Sequence, residues 1–496
     1  MKRTGLVLLL AVACGPKAGP NGGGGGGAAG PMPAAVSVYA GLRWVPADAT
    51  YVLAARRSED AIVLFKTAVE AVGIIGEFDA AELSRESQQE LGFDVLSPDA
   101  YAEMGVDLER GIAVWSRGLG PSFAVPLADP QRTAAEIERR RGPGTVVQVS
   151  RAHDADVFTV RPERDVAIHW TITGDWFLAH LEYTEEHEAE GAWFDEAWAA
   201  RGGIAAHADF AAAVDEGKKR LGGDPPLVGM LRTPQLVGNR LLAEGPGQPE
   251  CASTVGAINR MFLSAGVEGP DSRGALVVEV PAGLDGLRAL MTKVPAGWAD
   301  ARKGAPLQLE VGLDIRALAR AFSPCADEDL AAQLDREAPS SGRLFLHEID
   351  VDDMKGRGAA AVELSDPDVI RRALDDVPGI SLLSKRRKVA GVEVTDVNVP
   401  MLPRFAYAQV GATTVVTVSS AIDSLLSFGA AGDEVARFEI LPRAWPAETW
   451  DALLREVVGR EEARADTVRR LRAWSRGVIT ASVEGRAVVL FAHGTR

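Results

Sequence analysis

The sequence predicts an α+β protein with two related halves, each a mainly antiparallel sheet with packed helices. Three observations predict this fold. Apolar segments of strand length end at glycine turns, Asp-Pro pairs open helices directly after strands, and the order of these features recurs 237 residues later. A chain of 496 residues that is 47% hydrophobic also exceeds the roughly 250–300 residues at which a single core stops growing. We therefore expect at least two packed domains.

The clearest local pattern is a strand that passes directly into a helix, at residues 124–130. Asp129 is suited to cap the helix because its carboxylate accepts orphan backbone N–H groups, and Pro130 is suited to the first helical position. The same order returns at residues 361–367, where Asp-Pro again follows a strand pattern. Both segments therefore predict a strand–helix unit.

A glycine hairpin recurs at the same spacing. Gly174 and Gly411 each separate two strand patterns, and Trp170 lies at the position that corresponds to Tyr407. Glycine supplies the positive φ that a tight hairpin turn requires. One offset shared by all these features indicates an internal duplication. Independent use of the same α+β pattern is the alternative.

The other predicted elements fill the two halves in chain order. The expected domains are a first half at 41–225, linking strand–helix units at 226–300, and a second half at 301–496. Their elements are strands at 51–55, 111–115, 122–127, 227–231, 275–280 and 307–313, a helix beginning at Ser58, a long helix at 446–474, and a final hairpin at 477–491.

The N-terminus has the pattern of an export signal. Lys2 and Arg3 precede an apolar run at 6–13, and Cys14 follows it. A basic start, a short apolar core and small residues before a cleavage site are typical of a secretory signal peptide. Such a run is too short to remain as a transmembrane helix.

This stretch resembles the type II signal peptide of bacterial lipoproteins, in which the cysteine after the cleavage site receives diacylglycerol. The resemblance implies that residues 1–13 are removed and that Cys14 carries the lipid. Ala11 departs from the family pattern, which prefers leucine there. Residues 11–13 also suit an ordinary signal peptidase, so plain secretion is the alternative. In the same family, Gly15 rather than aspartate after the cysteine implies export to the outer membrane.

Residues 14–40 are expected to form the lipidated cysteine and a flexible tether. Six consecutive glycines at 22–27 are flanked by prolines, with no apolar periodicity to bury. A tether of about twenty such residues has an r.m.s. span of roughly 25 Å. A phosphate-binding loop is excluded, because no Gly-Lys-Ser/Thr follows the glycines.

Charge and cysteine content limit the classes of partner. The formal net charge of −16 disfavours nucleic acid and anionic membrane faces as partners, because an acidic body is repelled by phosphates. Besides Cys14, the chain contains only Cys251 and Cys325. Export to an oxidising compartment favours a disulfide between them, and two free thiols are the alternative.

The chain carries none of the common sequence motifs of catalytic and metal sites. The chain lacks Gly-x-Ser-x-Gly, Ser-x-x-Lys and His-Glu-x-x-His, so we expect no enzyme activity and no cofactor. His180 and His187, with the glutamates between 185 and 188, are interpreted as a solvated face rather than a metal site. The acidic segment 350–353 fails as a calcium loop because Met354 and Lys355 replace the required residues.

Two groups of residues are candidate ligand contacts. Lys385, Arg386, Arg387 and Lys388 form a concentrated basic run, interpreted as an exposed hairpin tip, with contact to an anionic envelope polymer or lipid as the alternative. A second group comprises aromatic residues that pack in the core or stack on sugars. The candidate contacts in this group are Trp170 and Trp176.

These observations together predict a lipid-anchored cell-envelope protein with a non-catalytic binding or scaffolding role. Its expected location is the outer membrane, facing the periplasm or the cell surface, with an envelope protein or a glycan as partner. The body is loosely similar to exported, uncharacterised bacterial proteins of duplicated α+β units. A periplasmic small-ligand or glycan carrier is one alternative. The other is an unrecognised hydrolase, which requires a Ser/His pair or carboxylates in a cleft.

Overall fold

The computed structural model describes two compact units. The first contains the described residues from 34 to 232 and from 259 to 277, and the second contains residue 258 and the described residues from 278 to 496. The described ranges are 34–72, 80–118, 120–140, 145–163, 166–183, 192–200, 202–232, 258–279, 298–312, 341–350, 355–363, 371–372, 376–400, 403–426, 434–455 and 461–496.

The first unit contains a sheet with the strand order β10-β9-β8-β1-β2-β3-β7-β6-β5-β4. The pairings from β9 to β4 are antiparallel. The strands are β1 (Tyr51–Ala55), β2 (Ala113–Ser116), β3 (Ser122–Pro126), β4 (Gln148–Ala152), β5 (Ala155–Glu163), β6 (Val166–Thr173), β7 (Trp176–Tyr183), β8 (Leu227–Leu231), β9 (Arg260–Glu268) and β10 (Asp271–Glu279).

The second unit contains a sheet with the order β20-β19-β18-β11-β12-β13-β17-β16-β15-β14, and its pairings are antiparallel. The strands are β11 (Leu307–Val311), β12 (Ser341–Asp350), β13 (Lys355–Glu363), β14 (Ser384–Val389), β15 (Val392–Val397), β16 (Phe405–Val410), β17 (Thr413–Val418), β18 (Glu434–Ile440), β19 (Arg476–Glu484) and β20 (Ala487–Thr495).

Helices lie between these strands. Those of the first unit are α1 (Ala34–Val38), α2 (Ser58–Val72), α3 (Ala80–Glu90), α4 (Pro98–Glu103), α5 (Pro130–Arg140), α6 (Ala192–Ala200) and α7 (Ala208–Leu221), with 3-10 helices at Ala40–Trp44 and Gly203–Ala206. Those of the second are α8 (Ala299–Arg302), α9 (Ile380–Leu383), α10 (Ala447–Leu454) and α11 (Glu461–Ala473), with 3-10 helices at Asp423–Leu425 and Pro442–Ala444. In the part of the chain that the structure describes, none of the helices is long and apolar enough to cross a membrane.

The two sheets have the same strand order. Each strand of the second sheet occupies the place of the strand numbered ten lower in the first. The offset of 237 residues seen in the sequence also holds for strand register: Phe158 pairs with Trp170 as Thr395 pairs with Tyr407. The α+β class with mainly antiparallel sheets is therefore confirmed.

The predicted strand-to-helix turn is present in the first unit. Asp129 Oδ1 accepts a hydrogen bond from the backbone N–H of Arg132 at 2.9 Å, and α5 begins at Pro130. Because the cap satisfies an orphan amide of the first turn, the strand can pass into the helix without an intervening loop. The corresponding Asp366 lies outside the described residues.

The structure corrects the predicted linking segment. Strands β8 and β9 are part of the first sheet, in which β8 pairs with β1 and β9 pairs with β8. Residues 226–300 were predicted as separate units because each strand was judged only by its own sequence. Strand pairing assigns the described residues 227–232 and 259–277 to the first unit instead.

Two further boundaries differ from the prediction. Residues 34–38 are helical, and Tyr39 is fully buried with its hydroxyl donating to the Pro225 carbonyl at 2.9 Å, so the packed body begins before residue 41. Two residues after Tyr39, the chain at Gly41 lies so close to the backbone of Ala113 that a side chain at this position would clash. Residues 446–474, predicted as one helix, contain two described helices, α10 and α11.

The equivalent hairpin turns give a matched prediction. Gly174 and Gly411 have φ values of 58° and 60°, and a Cβ at either position meets no atom within 4 Å. We expect Gly174→Ala and Gly411→Ala each to lower the free energy of unfolding by about 1 kcal/mol, because the cost is backbone strain alone. Chemical denaturation measures both. A loss at only one turn would contradict the equivalence.

Candidate functional site

A line of polar side chains crosses the buried face of the first sheet. Ser122 on β3 is directly opposite His180 on β7, which is opposite His169 on β6, which is opposite Thr159 on β5. Directly opposed residues on neighbouring strands point to the same face. We call these four residues the polar row. Glu182 lies two residues beyond His180 and therefore shares that face.

Short contacts connect the polar row. Ser122 Oγ lies 2.9 Å from His180 Nδ1, and Thr159 Oγ1 lies 2.9 Å from His169 Nδ1. The other ring nitrogen of His169, Nε2, lies 2.6 Å from Glu182 Oε2. All five side chains are buried. Hydrogen bonding within the row therefore replaces the water that these groups lose on folding.

Helix α6 covers the histidines. Trp193 stacks on the His180 ring at 5.8 Å between centroids and 16° between planes. Trp193, Phe194 and Ala197 form the buried face of the helix, a spacing that places apolar side chains on one side. The indole therefore separates His180 from solvent.

Burial decides the protonation of His180. Desolvation, and to a smaller extent the nearby His169, together lower its pKa to about 3. The Ser122–His180 pair has the contact of a nucleophile and its base, but such a weakly basic ring is a poor proton acceptor near neutral pH. Since both side chains are buried, the geometry is that of a hydrogen-bonded polar group inside the core.

The histidine interpretation from the sequence is corrected in part. His180 lies inside the sheet rather than on a solvated face, whereas His187 and Glu185 lie outside the described residues. Among the residues that the structure describes, no group of three His, Cys, Asp or Glu side chains could hold a metal ion. Strand register is what places His180 inward, because adjacent residues of a strand face opposite sides.

The two candidate tryptophans lie in the core. Trp170 is 2% exposed and Trp176 is 1% exposed. Trp170 stacks on Phe158 at 5.6 Å, and the Arg110 guanidinium lies 4.7 Å from the Trp176 ring. Of the two interpretations from the sequence, core packing rather than ligand contact describes both residues, because protein atoms already cover their faces.

The basic run is a strand rather than a hairpin tip. Residues 384–389 form β14, the outermost strand in the order of the second sheet, and they pair with β15. Arg387 Nε lies 2.6 Å from Asp396 Oδ2, and Arg387 Nη2 lies 2.7 Å from Asp423 Oδ1. The bond from Arg387 lowers the pKa of Asp423. Arg387 therefore connects β15 to a 3-10 turn, while Lys385, Arg386 and Lys388 are exposed.

Sequence reasoning missed an open groove of about 850 Å³ between α10 and α11 of the second unit. Arg443 Nη2 donates to the Ala473 carbonyl at 2.8 Å, and Arg464 Nε donates to Asp451 at 3.0 Å. The alternating charges of these helices were the available signal. The groove is lined by Arg443, Ala447, Glu448, Asp451, Arg455, Ala465, Val468, Arg469, Arg472 and Ala473.

The three cysteines of the sequence lie outside the described residues. The predicted lipidation at Cys14 therefore stays a prediction, and so does the disulfide between Cys251 and Cys325.

Comparisons with known proteins give a weak structural likeness. No protein-family model matches the chain, and neither does any curated protein. The solved structures that resemble it include crystal forms I and III of TP0453, each with 10% sequence identity and a TM-score of 0.29. The likeness covers 51% of this chain in both cases, with 86% of the form I chain and 88% of the form III chain.

Proposed function

We propose that this chain is a lipid-anchored cell-envelope protein with a non-catalytic binding or scaffolding role. The observation that carries the proposal is the order of its N-terminal features. A basic start and an apolar run end at Cys14, and a glycine-rich segment follows. The first described helix begins at Ala34, so about twenty residues separate the cysteine from the folded body, a length that spans roughly 25 Å.

The geometry of the polar row supports a non-catalytic role. A hydrolase of the Ser/His type needs a reachable hydroxyl and a base with a pKa near the working pH. Ser122 is buried, and burial holds the pKa of His180 at about 3. Large antiparallel sheets covered by helices instead provide a rigid platform for binding. We place this platform at the outer membrane, facing the periplasm or the surface.

We further propose that the two units arose by internal duplication. The support is the identical strand order of the two sheets together with matching register in β3–β7 and β13–β17. Matching two-residue turns also fall at equivalent positions: His153 and Asp154 have positive φ, as do Ala390 and Gly391. Sheets of ten strands allow many antiparallel orders, so a shared order and register favour a common origin.

Lipidation is tested with a fatty-acid analogue in a bacterial host. We expect the parent to incorporate an alkyne-labelled palmitate analogue and to sediment with outer membranes, and Cys14→Ser to incorporate none. Mass spectrometry of the purified parent should show an N-terminal diacylglyceryl cysteine. Cys251→Ser is the matched control, because it removes a cysteine that the proposal leaves unmodified. Equal labelling of parent and Cys14→Ser would contradict the proposal.

A further inference from the structure

The second unit exposes large apolar side chains immediately before its basic edge strand. Leu382 is 88% exposed, Val377 46% and Leu383 37%. A singly exposed apolar side chain is ordinary in a folded protein. Apolar side chains clustered beside lysine and arginine, however, are the pattern of segments that lie at a membrane surface.

The backbone holds these leucines in place. Gly379, with φ at 79°, precedes α9, and the buried Ile380 anchors that helix to the unit. The Leu383 carbonyl accepts a hydrogen bond from the Asn398 N–H at 2.9 Å, which ties the end of α9 to the end of β15. Exposure of Leu382 is therefore built into the fold, and contact with a surface requires little ordering of the backbone.

The basic side chains of β14 differ in whether they form ion pairs. Arg387 bonds to Asp396 and Asp423, and Arg386 lies 3.5 Å from Glu393. Within the described part of the chain, no carboxylate lies within ion-pair distance of Lys385 or Lys388, and both lysines are exposed. The two lysines are three positions apart and so project from opposite faces of β14. Both ammonium groups are thus available to an anionic partner that meets the edge of the sheet. We call Val377, Leu382, Leu383, Lys385 and Lys388 the tip patch.

The position of the tip patch favours one kind of occupant. Lysines on an edge strand oppose pairing with a strand of another protein. A lipid surface accepts both parts of the patch, because leucines enter the headgroup region while ammonium groups remain at the phosphates. The formal net charge of −16 opposes approach only weakly, since charges farther than about 8 Å are screened at physiological salt.

We infer that the tip patch binds the surface of an anionic lipid bilayer. The inference rests on the proposed function only for the nearness of a membrane. A lipid on Cys14 would hold the chain at the membrane only through a tether of about twenty residues. The tip patch therefore supplies a second attachment, which holds the second unit against the bilayer.

The test measures cosedimentation of the full-length protein with lipid vesicles. All proteins carry Cys14→Ser, so no variant has an acyl chain, and a failure of lipidation leaves the result unaffected. On phosphatidylcholine vesicles containing phosphatidylglycerol, we expect Lys385→Gln with Lys388→Gln to weaken binding about twenty-five-fold, roughly five-fold per lysine. The loss should shrink at high salt and be small on phosphatidylcholine alone. Leu382→Ser with Leu383→Ser should weaken binding to both vesicles.

Matched controls separate the patch from general charge and apolarity. Lys218→Gln with Lys219→Gln removes the same charge from the exposed face of α7. Val146→Ser removes a side chain that is 80% exposed at the first-unit position corresponding to Leu383, where no basic run follows. Both controls should bind like the parent. Parent-like binding by the lysine variant, or an equal loss in the lysine control, overturns the inference and directs attention to a protein partner.

Discussion

Glu310→Gln is expected to lower the free energy of unfolding by about 3–5 kcal/mol, because it breaks a buried ion pair network. Glu310 is fully buried on β11, with Oε1 at 2.7 Å from Arg302 Nη2 and Oε2 at 3.7 Å from Arg343 Nε. The Arg343 guanidinium lies 5.7 Å from the Trp298 ring. Burial lowers the pKa of Arg343, and Glu310 opposes that shift. Without the carboxylate, the buried Arg343 charge loses its main compensation.

Two further variants distinguish this cost from simple loss of a contact. Glu348→Gln, an exposed position on the neighbouring strand β12, should change stability by less than about 0.5 kcal/mol. Glu310→Leu combined with Arg343→Met should recover most of the loss, because a buried ion pair replaced by apolar side chains is often neutral. Urea denaturation followed by tryptophan fluorescence measures all three. A Glu310→Gln protein as stable as the parent would contradict the network's role.

The second large effect is expected in the acid range, where the His180 ring makes folding depend on pH. Its pKa is about 3 in the folded chain and 6.5 in the unfolded chain. Between these values the unfolded state binds the additional proton, so stability is highest above pH 6.5 and falls as the pH decreases toward 3. The contribution of this one group reaches about 1.4 kcal/mol per pH unit.

Replacement of the ring tests this linkage. We expect His180→Asn to cost stability at neutral pH, because it disturbs the contact with Ser122 and the stacking on Trp193. Its free energy of unfolding should nevertheless fall less steeply than that of the parent between pH 6 and pH 4. The two slopes should differ by about 1.4 kcal/mol per pH unit, the contribution of one bound proton. Above pH 7 the two slopes should agree. Parallel curves through the acid range would show that His180 is not the linked group.

Several elements of the fold follow from neighbours in sequence. The cap at Asp129, the helix start at Pro130 and the turn at Gly174 each depend on the chemistry of a few adjacent residues. The offset of 237 residues could be seen in the sequence because the same local patterns recur in both halves. The linking segment was misassigned, since β8 and β9 acquire their place from pairing with distant strands.

The polar groups of the core show the limit of sequence reasoning most clearly. The Ser122 and His180 side chains are 58 positions apart in the chain and meet only through the register of β3 with β7. The second unit has the same strand order but different residue types at equivalent positions. Glu310 and Arg343 face each other across β11 and β12, whereas alanines, Ala54 and Ala113, face each other across β1 and β2.

The sequence alone determined the α+β class, the repeated hairpins and the helix starts, and it predicts lipidation at Cys14. Each of these features depends on residues close together in the chain: the periodicity of apolar residues, the residues of a turn, or the signal-peptide pattern before Cys14. Only the tertiary structure decided that Trp170 and Trp176 are core residues, that the basic run is an edge strand, and that Leu382 projects into solvent. Burial depends on which strands and helices pack together, and strand register fixes that packing between residues far apart in the chain.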